Sequence, residues 1–110
     1  MTLSSASFTP NDAYEDERAI AVGDLRVDPA GFVATMAGQR MALTRKEFLL
    51  LTLFAENPDR LLRRDRIAEK IWDGHAPGRT IDIHVARLRA KLPPGAITTV
   101  VRLGYRFTLR

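Results

Sequence analysis

Residues 79–110 read RTIDIHVARLRAKLPPGAITTVVRLGYRFTLR. The stretch from Arg79 to Lys91 carries a helical pattern, and Pro93-Pro94-Gly95 stops it. Two β-rich runs follow, Ile97–Val101 and Tyr105–Leu109, separated by a tight turn at Arg102-Leu103-Gly104. Seven Lys/Arg in this stretch face a single acid, Asp82. A basic rod joined to a basic hairpin has the shape to enter a duplex major groove and to touch the neighbouring backbone.

At 100° per residue, Ile81, Val85, Leu88 and Leu92 fall within one narrow arc and must face a core. The opposite arc holds Arg79, Ile83, Ala86, Arg87 and Ala90. Thr80, His84 and Lys91 flank it on one side, Asp82 and Arg89 on the other. A purely solvated face would be more uniformly polar, so an outward Ile83 needs a reason. In a major groove small residues permit close approach, apolar atoms touch thymine methyls, and arginine forms bidentate bonds to guanine. The competing reading packs Ile83 on the hairpin or on a second copy of the chain.

The rest of the chain reads outward from this segment. Leu61-Leu62 leads into a second helix, about Arg64–Trp72, with Ile67, Ala68 and Ile71 inward. Residues 73–78 form a short loop before the third helix. Upstream, Thr44 and Glu47 make a capping box, with Leu43 and Phe48 at the hydrophobic staple positions, and Asn57-Pro58 ends the helix they open. From Ala19 to Leu43, short apolar runs broken by turn residues predict an antiparallel meander of about four small strands. Residues 1–18, rich in Ser, Thr and Asp and ending in Glu15-Asp16-Glu17, read as a tail or linker.

Composition agrees with one globular domain: 110 residues, 45% hydrophobic, 27% charged, net charge +4. That charge is uneven. Residues 1–30 hold two Lys/Arg against six Asp/Glu, whereas residues 31–110 hold fifteen against seven. A basic body attracts polyanions, of which nucleic acid is the commonest. With no cysteine there is no disulfide or thiolate metal site. No apolar run is long enough to span a membrane, and no signal peptide opens the chain, so a cytoplasmic protein is expected. His75 and His84 are the only histidines and lack metal-ligand spacing. With no glycine-rich phosphate loop either, neither a catalytic residue, a metal nor a cofactor is expected.

Four blocks carry a family resemblance: LTRKEFLLLTLFAENPDRLL, RRDRIAEKIW, RTIDIHVARLRAKL and ITTVVRLGYRF. In this order and spacing they resemble the C-terminal effector domain of OmpR/PhoB-type response regulators over about residues 19–109. The resemblance implies an α+β fold over 19–110: a winged helix-turn-helix with an N-terminal four-stranded antiparallel sheet, three helices and a C-terminal β-hairpin wing. It implies a sequence-specific double-stranded DNA-binding transcriptional regulator. Helix 79–91 would lie in the major groove and wing 97–109 on the adjacent minor groove or backbone. By position, Ile83 and Arg87 would read bases. Arg79, Thr80 and His84 would contact backbone, Arg89 would contact or support it, and Lys91 would flank the same surface. Arg64, Trp72 and Tyr105 match phosphate-contacting positions, with Trp72 equally readable as a core-edge aromatic, and Arg102 is the wing arginine. Implied partners are DNA with direct-repeat half-sites, a head-to-tail dimer on that DNA, and RNA polymerase through loop 73–78. A protein-interaction module docking on RNA polymerase or another regulator without base readout is the alternative.

The chain departs from the family pattern in three places. Family wings commonly read T-V-R-G-x-G-Y, whereas Val101 stands at the arginine position here and Arg102 at the first glycine. Ala86 replaces a residue often polar or basic. Arg63 stands where the second helix usually has a serine cap, which gives up about 1 kcal/mol of capping. Nothing in the sequence resembles a receiver domain, so it reads either as the effector domain of a longer regulator or as a stand-alone winged helix. The Ser- and Asp-rich start resembles an interdomain linker and favours the first.

Overall fold

The computed structural model describes residues 19–109, so the tail or linker expected at 1–18 lies outside the described residues. Four short strands open the fold: β1 (Ile20–Val22), β2 (Leu25–Asp28), β3 (Val33–Met36) and β4 (Gln39–Arg40). They pair antiparallel in chain order, with Val22 opposite Leu25, Leu25 opposite Met36, and Met36 opposite Gln39. Ala37 and Gly38 both take positive φ between β3 and β4, as a two-residue hairpin loop requires. The meander expected from residues 19–43 is therefore present.

Helix α1 (Arg45–Glu56) starts where its cap dictates. The Glu47 N–H donates to Thr44 Oγ1 at 3.2 Å, and the Thr44 N–H donates to Glu47 Oε1 at 3.0 Å. Phe48, Leu50, Leu51, Leu53 and Phe54 are all buried, and α1 packs on β1, the other two helices and the last strand. The Phe54 and Phe107 rings stack with centroids 5.9 Å apart. Each such side chain is worth about 1.5–3 kcal/mol of burial, so α1 is the post around which the domain is built.

Leu61–Arg63 is a strand, β5, and not the lead-in to the second helix expected from the sequence. It pairs antiparallel with β7 (Gly104–Phe107), and β7 pairs with β6 (Ile97–Val100), giving the sheet order β5-β7-β6. Three residues of Leu-Leu-Arg carry no alternation; what makes them a strand is a partner some forty residues downstream. The pairing ties the base of the wing to the start of α2 (Arg64–Ile71). It also explains Gly104. A Cβ there would lie 2.0 Å from the Leu62 carbonyl oxygen and 3.0 Å from the Arg63 Cα, both backbone atoms that cannot swing aside. Gly104 thus belongs to a strand and not to the turn expected of it. The turn is Val101-Arg102-Leu103, closed by Leu103 N–H to Val100 O at 2.9 Å, with Arg102 in the left-handed region at φ 69°.

Helix α3 (Thr80–Ala90) follows the loop and buries Ile81, Val85 and Leu88, with Leu92 just beyond its end. The core arc read from the sequence is the core arc of the structure.

Candidate nucleic-acid interface

The two flanks of α3 do different work. On one flank, Asp82 in the first turn accepts both guanidinium nitrogens of Arg64, Nη1 at 2.6 Å and Nη2 at 3.0 Å. The Tyr105 hydroxyl from β7 donates to the same carboxylate. Further along that flank Arg89 Nη2 donates to Thr99 Oγ1 of β6 at 2.9 Å. This side of α3 is therefore bolted to the wing sheet and to the start of α2.

On the other flank, His84 stands edge-on to Trp72, with ring centroids 5.2 Å apart and Nδ1 2.8 Å from the Thr80 carbonyl oxygen. Lys46 Nζ lies 5.4 Å from the Trp72 ring centroid and donates to the Ile71 carbonyl at 2.8 Å, closing the C-terminal end of α2. Lys91 reaches back to α1, donating to Glu47 Oε1 at 2.6 Å and to the Ala42 carbonyl at 2.9 Å. Thr80 spends its hydroxyl on the Pro77 carbonyl at 2.6 Å.

These contacts give several of the expected DNA-contacting side chains partners within the domain. Tyr105 is 5% exposed, and its hydroxyl donates to the Asp82 carboxylate. Arg64 is engaged by Asp82, Lys91 by Glu47, and Arg89 by Thr99. Trp72 is half-buried between His84 and Lys46 and serves as a spacer between helices. The sequence signal for the first of these pairings was the lone acid in a basic stretch. Glu47 was legible only as a cap, because its pairing with Lys91 joins residues 44 positions apart.

The outward arc remains. Arg79, Ile83, Ala86, Arg87 and Ala90 are exposed along α3, and Ile83 keeps 47% of its surface in solvent. The wing packs elsewhere, through Asp82 and Arg89, so it leaves Ile83 uncovered. Among the described residues no side-chain hydrogen bond or ion pair engages Arg79, Arg87 or Arg102. The wing tip itself is apolar and open, with Val101 74% exposed and Leu103 42% exposed on either side of Arg102. A convex row of arginine and small or apolar side chains beside an arginine-tipped hairpin offers donors and methyl contacts to base edges, with charge for phosphates.

Electrostatics hold the frame together near neutrality. Burial alone pushes the Glu47 carboxyl up, but the hydrogen bonds from Lys91 and from the Thr44 N–H, with the charges of Lys91 and Arg87, outweigh it and hold the group below its usual value. The Arg64 bond, then the Tyr105 bond, likewise depress Asp82 against a smaller effect of burial. Burial and the neighbouring carboxylate push the Tyr105 phenol up. Folded carboxyl values below the unfolded ones, about 4, mean stability that is complete above that pH and lost as pH falls through the folded values. Thermal melts should therefore hold a level midpoint from about pH 7 to 5 and decline below about 4. Glu47→Gln should shrink that acid-dependent part; an unchanged acid profile in the variant would remove Glu47 from the account.

Among the described residues no cluster of His, Asp and Glu could hold a metal, and no helix is long and apolar enough to cross a membrane. Comparison with known proteins agrees with the architecture. Residues 38–107 match the family described as transcriptional regulatory protein, C terminal. The chain is 38% identical over 96 residues to the transcriptional regulatory protein CseB of Streptomyces coelicolor, covering 86% of this chain and 41% of that protein. It is 40% identical over 85 residues to the transcriptional regulatory protein QseB of Escherichia coli O157:H7, covering 76% of this chain and 39% of that one. The chain thus spans about two-fifths of the length of these relatives. The fold superposes on the Klebsiella pneumoniae RstA DNA-binding domain, solved in complex with the RstA box, with TM-score 0.76 and 28% identity over 83% of this chain and 97% of that one. The DNA-binding domain of Escherichia coli CpxR gives TM-score 0.75 and 28% identity over 82% of this chain and 95% of that one. The winged helix, the order of its elements and the family match together place this chain in the transcriptional-regulator C-terminal family, as an OmpR/PhoB-type winged helix-turn-helix domain.

Proposed function

We propose that this domain binds double-stranded DNA sequence-specifically to control transcription, acting in the cytoplasm as the effector part of a regulator. The observation that carries the reading is the outward arc of α3: exposed Ile83 between Arg79 and Arg87, the two arginines without a side-chain hydrogen bond or ion pair among the described residues. The DNA complex of the similar RstA domain supports the choice of partner. In this reading Ile83 and Arg87 touch base edges, Arg79 and the first turn at Thr80 and His84 meet the backbone, and Arg102 reaches the adjacent minor groove from the wing. Two copies would bind head-to-tail on direct-repeat half-sites.

Affinity for duplex DNA should fall linearly on a log–log plot against salt, with a slope of about 0.9 per phosphate contacted. Fluorescence anisotropy of a labelled duplex measures it. A salt-independent affinity would contradict a phosphate-driven complex.

A second partner is favoured by a separate feature. A groove of about 520 Å³ lies between β5, the outer face of α2 and the loop, lined by Leu61, Arg63, Asp65, Arg66, Glu69 and Gly74. Its lining includes side chains of both charge signs and Gly74 of loop 73–78, and in this reading RNA polymerase docks there while α3 stays on DNA. Capture of purified polymerase by the DNA-bound domain, lost in Arg66→Ala/Glu69→Ala, tests it; equal capture by that variant would dismiss the groove.

A further inference from the structure

Asp82 is the one acid on the basic face of residues 79–110, and it lies in the first turn of the helix proposed to enter DNA. A carboxylate there would repel phosphates, and helix stability alone asks for no particular partner: an acid in a first turn already gains from the helix dipole. The structure gives it more than that. Asp82 takes a bidentate pair from Arg64 at the start of α2, with N–O distances of 2.6 and 3.0 Å, and the Tyr105 hydroxyl from β7. The Arg64 backbone N–H also donates to Leu103 O of the wing turn at 3.3 Å. One carboxylate thus joins the recognition helix, the second helix and the wing.

The pair is not sealed. The side chains of Arg64 and Asp82 keep 38% and 32% of their surface exposed, so a phosphate arriving at the start of α3 could compete for the guanidinium. A bidentate carboxylate matches the planar fork of arginine as well as a phosphate does, and it is already in place. With Arg64 held, Arg79, Arg87 and Arg102 remain as cations of the outward arc and the wing tip that no side-chain hydrogen bond engages among the described residues.

Resting on the DNA-binding reading above, we propose that Asp82 is a specificity-determining positioning residue: by holding Arg64 and Tyr105 together it withholds Arg64 from the phosphate backbone and fixes the recognition helix against the wing. Non-specific affinity is thereby reduced while the reading face keeps its aim.

The test compares wild type, Asp82→Asn and the double variant Asp82→Asn/Arg64→Met. Each is titrated with a selected duplex and with a random-sequence duplex across salt. Asp82→Asn frees one cation, so its log–log salt slope on random duplex should steepen by about 0.9. Between 50 and 200 mM salt it should then lose about 3.5-fold more affinity than wild type does. Its ratio of selected to random affinity should fall, and the double variant should return to the wild-type slope. A wild-type slope and ratio in Asp82→Asn would overturn the proposal, as would equal weakening on both duplexes. Should Asp82→Asn fail to fold, nitrogen-15 NMR of the Arg64 guanidinium in the unmodified protein decides. Signals unchanged on adding random duplex support the proposal, and signals that move as for a phosphate-bound arginine overturn it. Failure of wild type to bind any duplex would instead defeat the DNA-binding reading itself.

Discussion

Gly104→Ala is expected to lower the melting midpoint by roughly 10–20 °C, the equivalent of about 3 kcal/mol in a domain this size. The new Cβ would sit 2.0 Å from the Leu62 carbonyl oxygen, well inside van der Waals contact, and the next atoms it meets are also backbone. No rotamer can relieve that. Either β5 moves off β7 or the wing hairpin moves off α2, and each breaks a ladder of backbone hydrogen bonds. The loss should be local first. Amide exchange should accelerate at residues 61–63 and 104–107 before it does in α1. A variant that melts with wild type would mean that β5 is not paired as described.

Arg87→Ala is expected to reduce the ratio of selected to random affinity by about 1–3 kcal/mol, roughly 5- to 150-fold. Arg87 stands on the outward arc of α3, unengaged among the described residues, with Ile83 one turn before it. A base-reading arginine loses discrimination when truncated, and its removal leaves affinity for random duplex nearly intact. A phosphate-contacting arginine does the opposite: affinity falls evenly on every sequence and the salt slope becomes shallower by about 0.9. Titrations with both duplexes at two salt concentrations separate the outcomes, and an even loss would end the base-reading role of Arg87.

Much of this fold could be read from local sequence because its signals are local. The Thr44–Glu47 box lies within one turn, and the core arc of α3 repeats at the helical period. The turn residues between residues 19 and 43 mark the meander directly. What escaped was non-local. β5 has three residues and is defined only by its partner in the wing. The position of Gly104 beside Leu62 follows from that pairing, and so does the displacement of the turn toward Val101.

The same division runs through the interface. The outward arc of Arg79, Ile83 and Arg87 follows from periodicity, since geometry on one helix fixes which side chains share a face. Availability does not follow from periodicity. Arg64, Arg89, Lys91 and Tyr105 have the chemistry to meet phosphate, yet each is engaged by a group from another element: Asp82, Thr99, Glu47 and Asp82 again. Counting cations in the sequence therefore does not reveal which of them already have partners within the domain. The lone acid Asp82 was the visible clue that some of that charge is spent internally.

The decisive measurement is selection of bound duplexes from a random library by this domain, followed by sequencing. Enrichment of a defined motif, arranged as direct repeats about one helical turn apart (roughly 10–10.5 bp), is the predicted result, with Arg87→Ala flattening particular positions of that motif. Recovery of sequences no different from the input, with binding intact, would contradict base reading by α3 and leave the domain a docking module.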